Sequence, residues 1–248
     1  MVRRKGGDSG KGQVIDSNDR EQAGGRGHWL DGEPPPQPEP DDDPEAPPPW
    51  VVPDDMWPEQ DPYRASSSTT APVTDVWLEV GFGAGEHLAW QAEAHTQIGL
   101  IGAEPYVAGM AKLLSRIADK DLRNIRLYTE DVRDVVAAAP DASFGRIFIL
   151  FPDPWPKTRH HKRRFIQMAM LDELARVMKR GAELRFATDD MSYLEWALER
   201  FCAHSAFRWM AESPADWRIR PPDWPETRYE AKAKKAGRKC SYLRFARA

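Results

Sequence analysis

DVWLEVGFGAGEHL, residues 75–88, is the stretch that decides the fold. Val76, Trp77, Leu78, Glu79 and Val80 form an apolar run that carries one acid, and they read as a strand. Gly81, Gly83 and Gly85 follow at once as G-x-G-x-G. Without a Cβ, the backbone there can turn sharply and come close to a ligand. A helix is expected from about Ala84 to Ala94. A strand that turns through glycines into a helix opens an α/β sheet, and the rest of the chain repeats the unit.

Gln97 to Ala103 reads as a second strand ending at Glu104. Pro105 suits the first turn of the next helix, whose apolar face is Val107, Met110, Ala111, Leu113, Leu114 and Ile117. Ile125–Tyr128 is a third strand that ends near Glu130 and Asp131, and Val132–Ala138 is a short helix. Ile147 to Phe151 is continuously apolar, as a strand buried on both faces should be. A helix is expected over Phe165–Met178 with Gly181 just past its end. Then come a strand over Glu183–Ala187, a helix from Met191 to about Cys202, and last strands at Phe207–Met210 and Ser241–Phe245. The alternation predicts an α/β, Rossmann-like sheet, mostly parallel, with helices on both faces. Ligands of such sheets bind beyond the carboxyl ends of the strands. Glu79, Gly81–Gly85, Glu104, Asp131, Asp153 and Asp189 all fall at that edge.

The net charge of −4 hides an asymmetry. Residues 1–74 hold 7 Lys and Arg against 15 Asp and Glu, a net of −8, while residues 75–248 carry a net of +4. Thirteen of the 22 prolines also lie before residue 75. Such a segment buries too little apolar area to offset its ordering entropy, so residues 1–74 read as a disordered extension and 75–248 as the folded domain. Arg3, Arg4 and Lys5 are weak candidates for a phosphate contact. No apolar run is long enough to cross a membrane, and no apolar stretch stands behind the N-terminal charges as in a secretory signal. Cys202 and Cys240 have no metal-ligand spacing and read as reduced thiols of a cytoplasmic protein. Neither a membrane, a metal nor a protein partner is expected.

The acids at the first three strand ends specify a cofactor. A dinucleotide fingerprint needs glycine at position 86, where Glu86 stands, and a carboxylate there sits badly beside a pyrophosphate. Glu104 suits ribose hydroxyls, Asp131 an adenine amino group, and Glu79 the ammonium of an amino-acid tail. An adenosine joined to an amino acid through a sulfonium fits: S-adenosylmethionine. The glycines alone would be no more than a tight turn.

The second half of the site is FPDPWPKTRHHKRR, residues 151–164. Asp153 stands between two prolines at the end of the fourth strand, beside Trp155. Lys157, Arg159, His160, His161, Lys162, Arg163 and Arg164 follow as a basic cluster. Placed at or just before a helix N-terminus, each cation would lose roughly 0.3–1 kcal/mol to the macrodipole, a cost that a bound phosphate would offset. Arg228, Lys232, Lys234, Lys235, Arg238 and Lys239 are a second basic stretch beside the same groove. A methyltransferase for small molecules would not need Arg163 and Arg164, and an RNA-binding module would not need the acidic rim.

LEVGFGAGEHL, IGAEP, FPDPWPKTRHHKRRF, LRFATDD and TRYEAKA together resemble the bacterial tRNA (guanine-N7-)-methyltransferase family, over about Val73 to Arg247. The resemblance implies a class I methyltransferase fold of seven strands with the last antiparallel. It implies methyl transfer from S-adenosylmethionine to N7 of the variable-loop guanosine at tRNA position 46. It assigns Glu79, Glu104, Asp131 and Asp153 to the cofactor, and Lys157, Asp189, Thr227, Arg228, Tyr229 and Glu230 to the substrate. Thr227 and Glu230 would offer a hydroxyl and a carboxylate to a base edge. The family more often has Thr-Lys-Phe-Glu where this chain has Thr-Arg-Tyr-Glu, which keeps the charge and the ring. The family's usual basic N-terminal arm has no counterpart in residues 1–74.

Overall fold

The structure, a computed structural model, describes residues 73–248. The expectations for the proline-rich extension, and for Arg3, Arg4 and Lys5, lie outside the described residues.

Seven strands form one sheet: β1 (Asp75–Val80), β2 (Ile98–Ala103), β3 (Ile125–Tyr128), β4 (Phe144–Leu150), β5 (Met178–Thr188), β6 (Phe207–Trp209) and β7 (Ser241–Arg247). Their order is β3-β2-β1-β4-β5-β7-β6. The first five pair in parallel, and β7 runs antiparallel to both β5 and β6. The chain leaves β1 toward β2 on one side and returns to β4 on the other. The carboxyl end of β1 is therefore the topological switch point, where such sheets open a crevice.

Helices α1 (Glu86–Ala94), α2 (Val107–Lys120), α3 (Val132–Ala138), α4 (Met168–Val177), α5 (Met191–Ala203), α6 (Ala215–Arg218) and α7 (Arg228–Lys235) complete the domain. Successive strand residues point to opposite faces, so the apolar strands feed two cores. Leu78, Ile147, Ile149 and Phe186 join α3, α4 and α5 residues such as Val136, Leu174 and Phe201. Trp77, Phe148 and Leu150 join Leu88, Leu113, Trp224 and Tyr242. Glu79, Phe148 and Arg185 are register partners across β1, β4 and β5, so two charged side chains share a row with an aromatic ring on the second face.

Three boundaries differ from the sequence reading. Phe165–Gln167 is not helical: the Ile166 N–H donates to the Tyr193 hydroxyl at 3.2 Å, and Gln167, with extended backbone, is the N-cap of α4. The helix also ends at Val177 rather than at a Gly181 cap. Met178 already pairs with Phe144, and the register then jumps to Arg146 opposite Glu183. Gly181, at φ 78°, sits in the bulge between those pairs. Pro105 lies outside α2, whose N-cap is Tyr106.

Candidate active site

At the switch point the glycine loop has the backbone its sequence demands. Gly81, Gly83 and Gly85 have φ of 68°, 59° and 74°, a region that L side chains rarely adopt. Glu104 fastens this loop to the start of α2: one carboxylate oxygen accepts from the Gly83 N–H at 2.8 Å and the other from the Tyr106 N–H at 2.9 Å. Gly109 lets α2 approach, since a Cβ there would strike the Gly83 carbonyl. Glu79 is 2% exposed, and its Oε2 lies 2.7 Å from His87 Nδ1. A carboxylate only accepts, so Nδ1 carries the proton, and Nε2 accepts from the Gln91 amide at 3.1 Å. Asp131 caps α3 through the Arg133 N–H at 2.9 Å and holds the Arg133 guanidinium at 2.7 Å.

This arrangement fits S-adenosylmethionine. Gly81 is exposed and has nothing within 4 Å of where a side chain would stand, which leaves an open backbone edge beside three acids. Glu86, half-buried and paired with Arg116 at 3.6 Å, keeps a carboxylate where a dinucleotide phosphate would come. The donor-seeking rim suits hydroxyls and an ammonium.

The adjoining turn is strained. Phe151 and Trp155 have φ of 53° and 43°, values uncommon for bulky residues and costing of order 1–3 kcal/mol each. The Phe151 N–H bonds to the Ala187 carbonyl at 2.8 Å, which anchors the turn to β5. Between the two strained residues Asp153 is exposed. The Trp155 ring meets His160 edge-on at 5.9 Å and carries the Arg163 guanidinium at 5.0 Å, so turn and basic lip are one piece. The lip is a 3-10 turn, Thr158–Arg163. Lys157, Arg159, Lys162 and Arg163 are exposed, and no carboxylate among the described residues forms an ion pair with them. Partial burial, then Arg163, Arg159 and Lys157, hold His160 below the usual histidine range.

Three expectations about this half need correction. The cations precede α4 by several residues and lie within the 3-10 turn, so the α4 macrodipole does not act on them. Arg164 is 0% exposed. It donates to the Pro154 carbonyl at 2.8 Å and to the Ser192 carbonyl and hydroxyl at 3.1 and 2.9 Å, between the rings of Tyr193 and Trp196. It braces the turn from inside and cannot meet RNA. His161 faces inward too, edge-on to Trp196 at 5.2 Å with its Nε2 buried.

The TRYE segment divides the same way. Thr227 caps α7 by accepting from the Glu230 N–H at 3.2 Å. Glu230 is 1% exposed, and its Oε1 takes the Tyr242 hydroxyl at 2.7 Å, Lys234 at 2.6 Å and Arg220 at 3.1 Å. Neither side chain presents itself to a base edge, contrary to expectation; both hold the segment. Arg228 and Tyr229 are the exposed pair, with the guanidinium donating to the Tyr229 hydroxyl at 3.2 Å. The Tyr229 ring lies over Gly83, where a Cβ would come within 2.8 Å of it. Arg238 donates to Asp189 at 2.5 Å, beyond β5. Of the second basic stretch, Lys232, Lys235 and Lys239 remain exposed and outside ion pairs among the described residues.

Comparisons with known proteins agree with this architecture. The family model Methyltransf_4, described as "Putative methyltransferase", matches residues 74–243. The tRNA (guanine-N(7)-)-methyltransferase of Rhodospirillum rubrum is 57% identical over 176 residues, covering 71% of this chain and 69% of that one. Its namesake from Brucella melitensis is 48% identical over 186 residues, covering 75% and 80%. The chain belongs to the tRNA (guanine-N7-)-methyltransferase family. Among solved structures, the 16S rRNA methyltransferase KamB aligns with a TM-score of 0.50 at 16% identity, over 72% of this chain and 90% of that one. That likeness shows the class I methyltransferase fold alone.

In the methyltransferase, sequence reasoning missed the side chains that hold the site from below. His87 and Gln91 lie in the first and second turns of α1, buried beside Leu88, Ala89 and Ala92. Arg185 is 2% exposed, set in β5 between the buried apolar Leu184 and Phe186. A cation inside such a strand was the signal that could have marked it.

Proposed function

We infer that this protein transfers the methyl group of S-adenosylmethionine to N7 of guanine in tRNA, and we propose the variable-loop guanosine at position 46 as its target. The observation that supports the site assignment best is the junction of two unlike surfaces at one sheet edge. A hydrogen-bonded acidic rim ends β1, β2 and β3, an unpaired cationic lip follows β4, and exposed Asp153 stands between them. Glu79, Glu104 and Asp131 would hold the cofactor, with Gly81 leaving its backbone approach clear. Bound S-adenosylmethionine supplies an electrophilic methyl on a sulfonium.

N7 of guanine has an in-plane lone pair and no proton, so no general base is needed. The work is positioning. Lys157, Arg159, Lys162 and Arg163 bind the phosphates, and Arg228 and Tyr229 close on the nucleotide beside the glycine loop. Positive charge grows on the purine as N7 reacts, and the Asp153 carboxylate stabilises it. The same carboxylate accepts from guanine N1–H and the 2-amino group, which selects guanine over adenine. Activity in the cytoplasm follows from the substrate; no helix among the described residues is long and apolar enough to cross a membrane.

The test uses labelled S-adenosylmethionine and unmodified bulk tRNA, followed by borohydride and aniline. Strand cleavage at the variable-loop guanosine identifies donor, base and atom together. Label without cleavage would move the target atom, and cleavage elsewhere would move the target nucleotide.

A further inference from the structure

Beneath the segment that carries Arg228 and Tyr229 lies a chain of buried polar side chains that the reaction does not explain. Arg185, on β5, is 2% exposed. Its Nη2 donates to Asp223 at 2.6 Å and to Glu183 at 3.2 Å. Its Nε and Nη1 are buried without partners. The guanidinium lies 5.7 Å from the Phe148 ring and 5.3 Å from the Trp224 ring. Gln91, 1% exposed, donates to the Asp223 carbonyl at 3.3 Å and to His87, which holds Glu79. Asp223 is thus gripped by its side chain from β5 and by its carbonyl from α1. Four residues further on, Thr227 starts α7 and sets Tyr229 against Gly83.

A half-satisfied guanidinium in an aromatic pocket is an expensive way to fill space. An apolar side chain of that volume would pack there at lower cost. What Arg185 contributes, and an apolar residue cannot, is a fixed place for Asp223.

We propose that Arg185 and Gln91 are positioning residues for tRNA. They set the height and register of residues 223–229 over the glycine loop and, through His87, tie that segment to the acid that ends β1. The proposal rests on the reading that Arg228 and Tyr229 meet the tRNA.

The test compares Arg185→Met, Asp223→Asn and their double variant with the wild-type enzyme. It reads KM for tRNA, kcat, Kd for S-adenosylhomocysteine, Tm, and hydrogen exchange of residues 223–229. The expected result is a KM raised about tenfold, the scale of one lost charge-assisted contact, with Kd and kcat within about threefold and, for Arg185→Met and the double variant, Tm unchanged or higher. Exchange in 223–229 rises, the double variant is no worse than either single, and Asp223→Glu recovers part of the loss. A KM that moves only in step with falling Tm or weaker Kd makes Arg185 structural and overturns the proposal. So does unchanged exchange. Faster exchange with unchanged KM overturns it as well, and Arg228→Ala then separates the causes. If that variant is also neutral, the tRNA role of Arg228 is wrong; if it raises KM, only the latch is wrong. Should Arg185→Met fail to fold, Asp223→Glu, which keeps the charge at this half-exposed position, carries the test through the same readouts.

Discussion

Glu104 and Asp153 are carboxylates at the same edge of one sheet, and their surroundings are opposite. Glu104 gives both oxygens to backbone N–H groups, Glu79 leans on His87, and Asp131 caps a helix. The half proposed for the cofactor is assembled before anything binds. Asp153 is exposed on a strained turn, and the cations beside it have rings for support rather than counter-ions. The contrast matches the ligands proposed for the two halves. A small cofactor is met by a shaped rim, whereas a polyanion supplies the missing charge itself.

Asp153→Asn breaks the contrast most sharply. Removing the charge while keeping the shape should lower kcat by about 100-fold, the scale of one lost transition-state electrostatic contact, with tRNA affinity nearly unchanged; single-turnover rates on bound tRNA decide. Gly109→Ala attacks the other half at a distance. Its Cβ would push the Gly83 carbonyl, so S-adenosylhomocysteine affinity should fall by roughly tenfold, as for a cradle misplaced by part of an ångström, while non-specific RNA binding persists. Calorimetric titration checks it.

Arg163 and Arg164 are neighbours with opposite burial, and they sharpen the comparison. Arg163→Ala should reduce the slope of log affinity against log salt by about 1 and leave Tm alone. Arg164→Ala should cost about 2–4 kcal/mol of stability through lost buried hydrogen bonds, visible in denaturant melts. The smallest effect concerns His160, whose pKa is lowered in the free protein by partial burial and then by Arg163, Arg159 and Lys157. It is neutral near pH 7, and a nearby phosphate raises its pKa again. Binding therefore takes up a proton, and tRNA affinity should rise about two- to threefold as pH falls from roughly 7.5 to 6. A His160→Gln variant with the same pH slope would refute this.

The succession of strands and helices along the chain, the acids at strand ends and the Asp153 turn were legible because they are encoded locally, in apolar runs, glycines and a Pro-Asp-Pro frame; the order of the strands in the sheet is not local and came only from the structure. What was not legible depends on where a side chain points. RHHKRR reads as six equivalent residues, yet Arg164 and His161 face inward because a 3-10 turn has only three residues per turn. Thr227 and Glu230 looked like base-reading groups, but their T-x-x-E spacing is also that of a helix start, and the structure uses it so. Gly181 was misjudged because α4 runs straight into β5, and the glycine serves a bulge rather than a cap.

The position of β7 bears on how the protein is made. β6 pairs with β7 and with no other strand among the described residues, so Phe207–Trp209 has no ladder until residues 241–247 are synthesised. The same late strand delivers Tyr242 to Glu230, which holds the segment bearing Arg228 and Tyr229. On the ribosome, β1 to β5 and the acidic rim can form early, while the wall proposed to face tRNA waits for the final strand to slot between its neighbours. A nascent chain stalled before residue 241 should therefore retain affinity for the cofactor product and lack turnover.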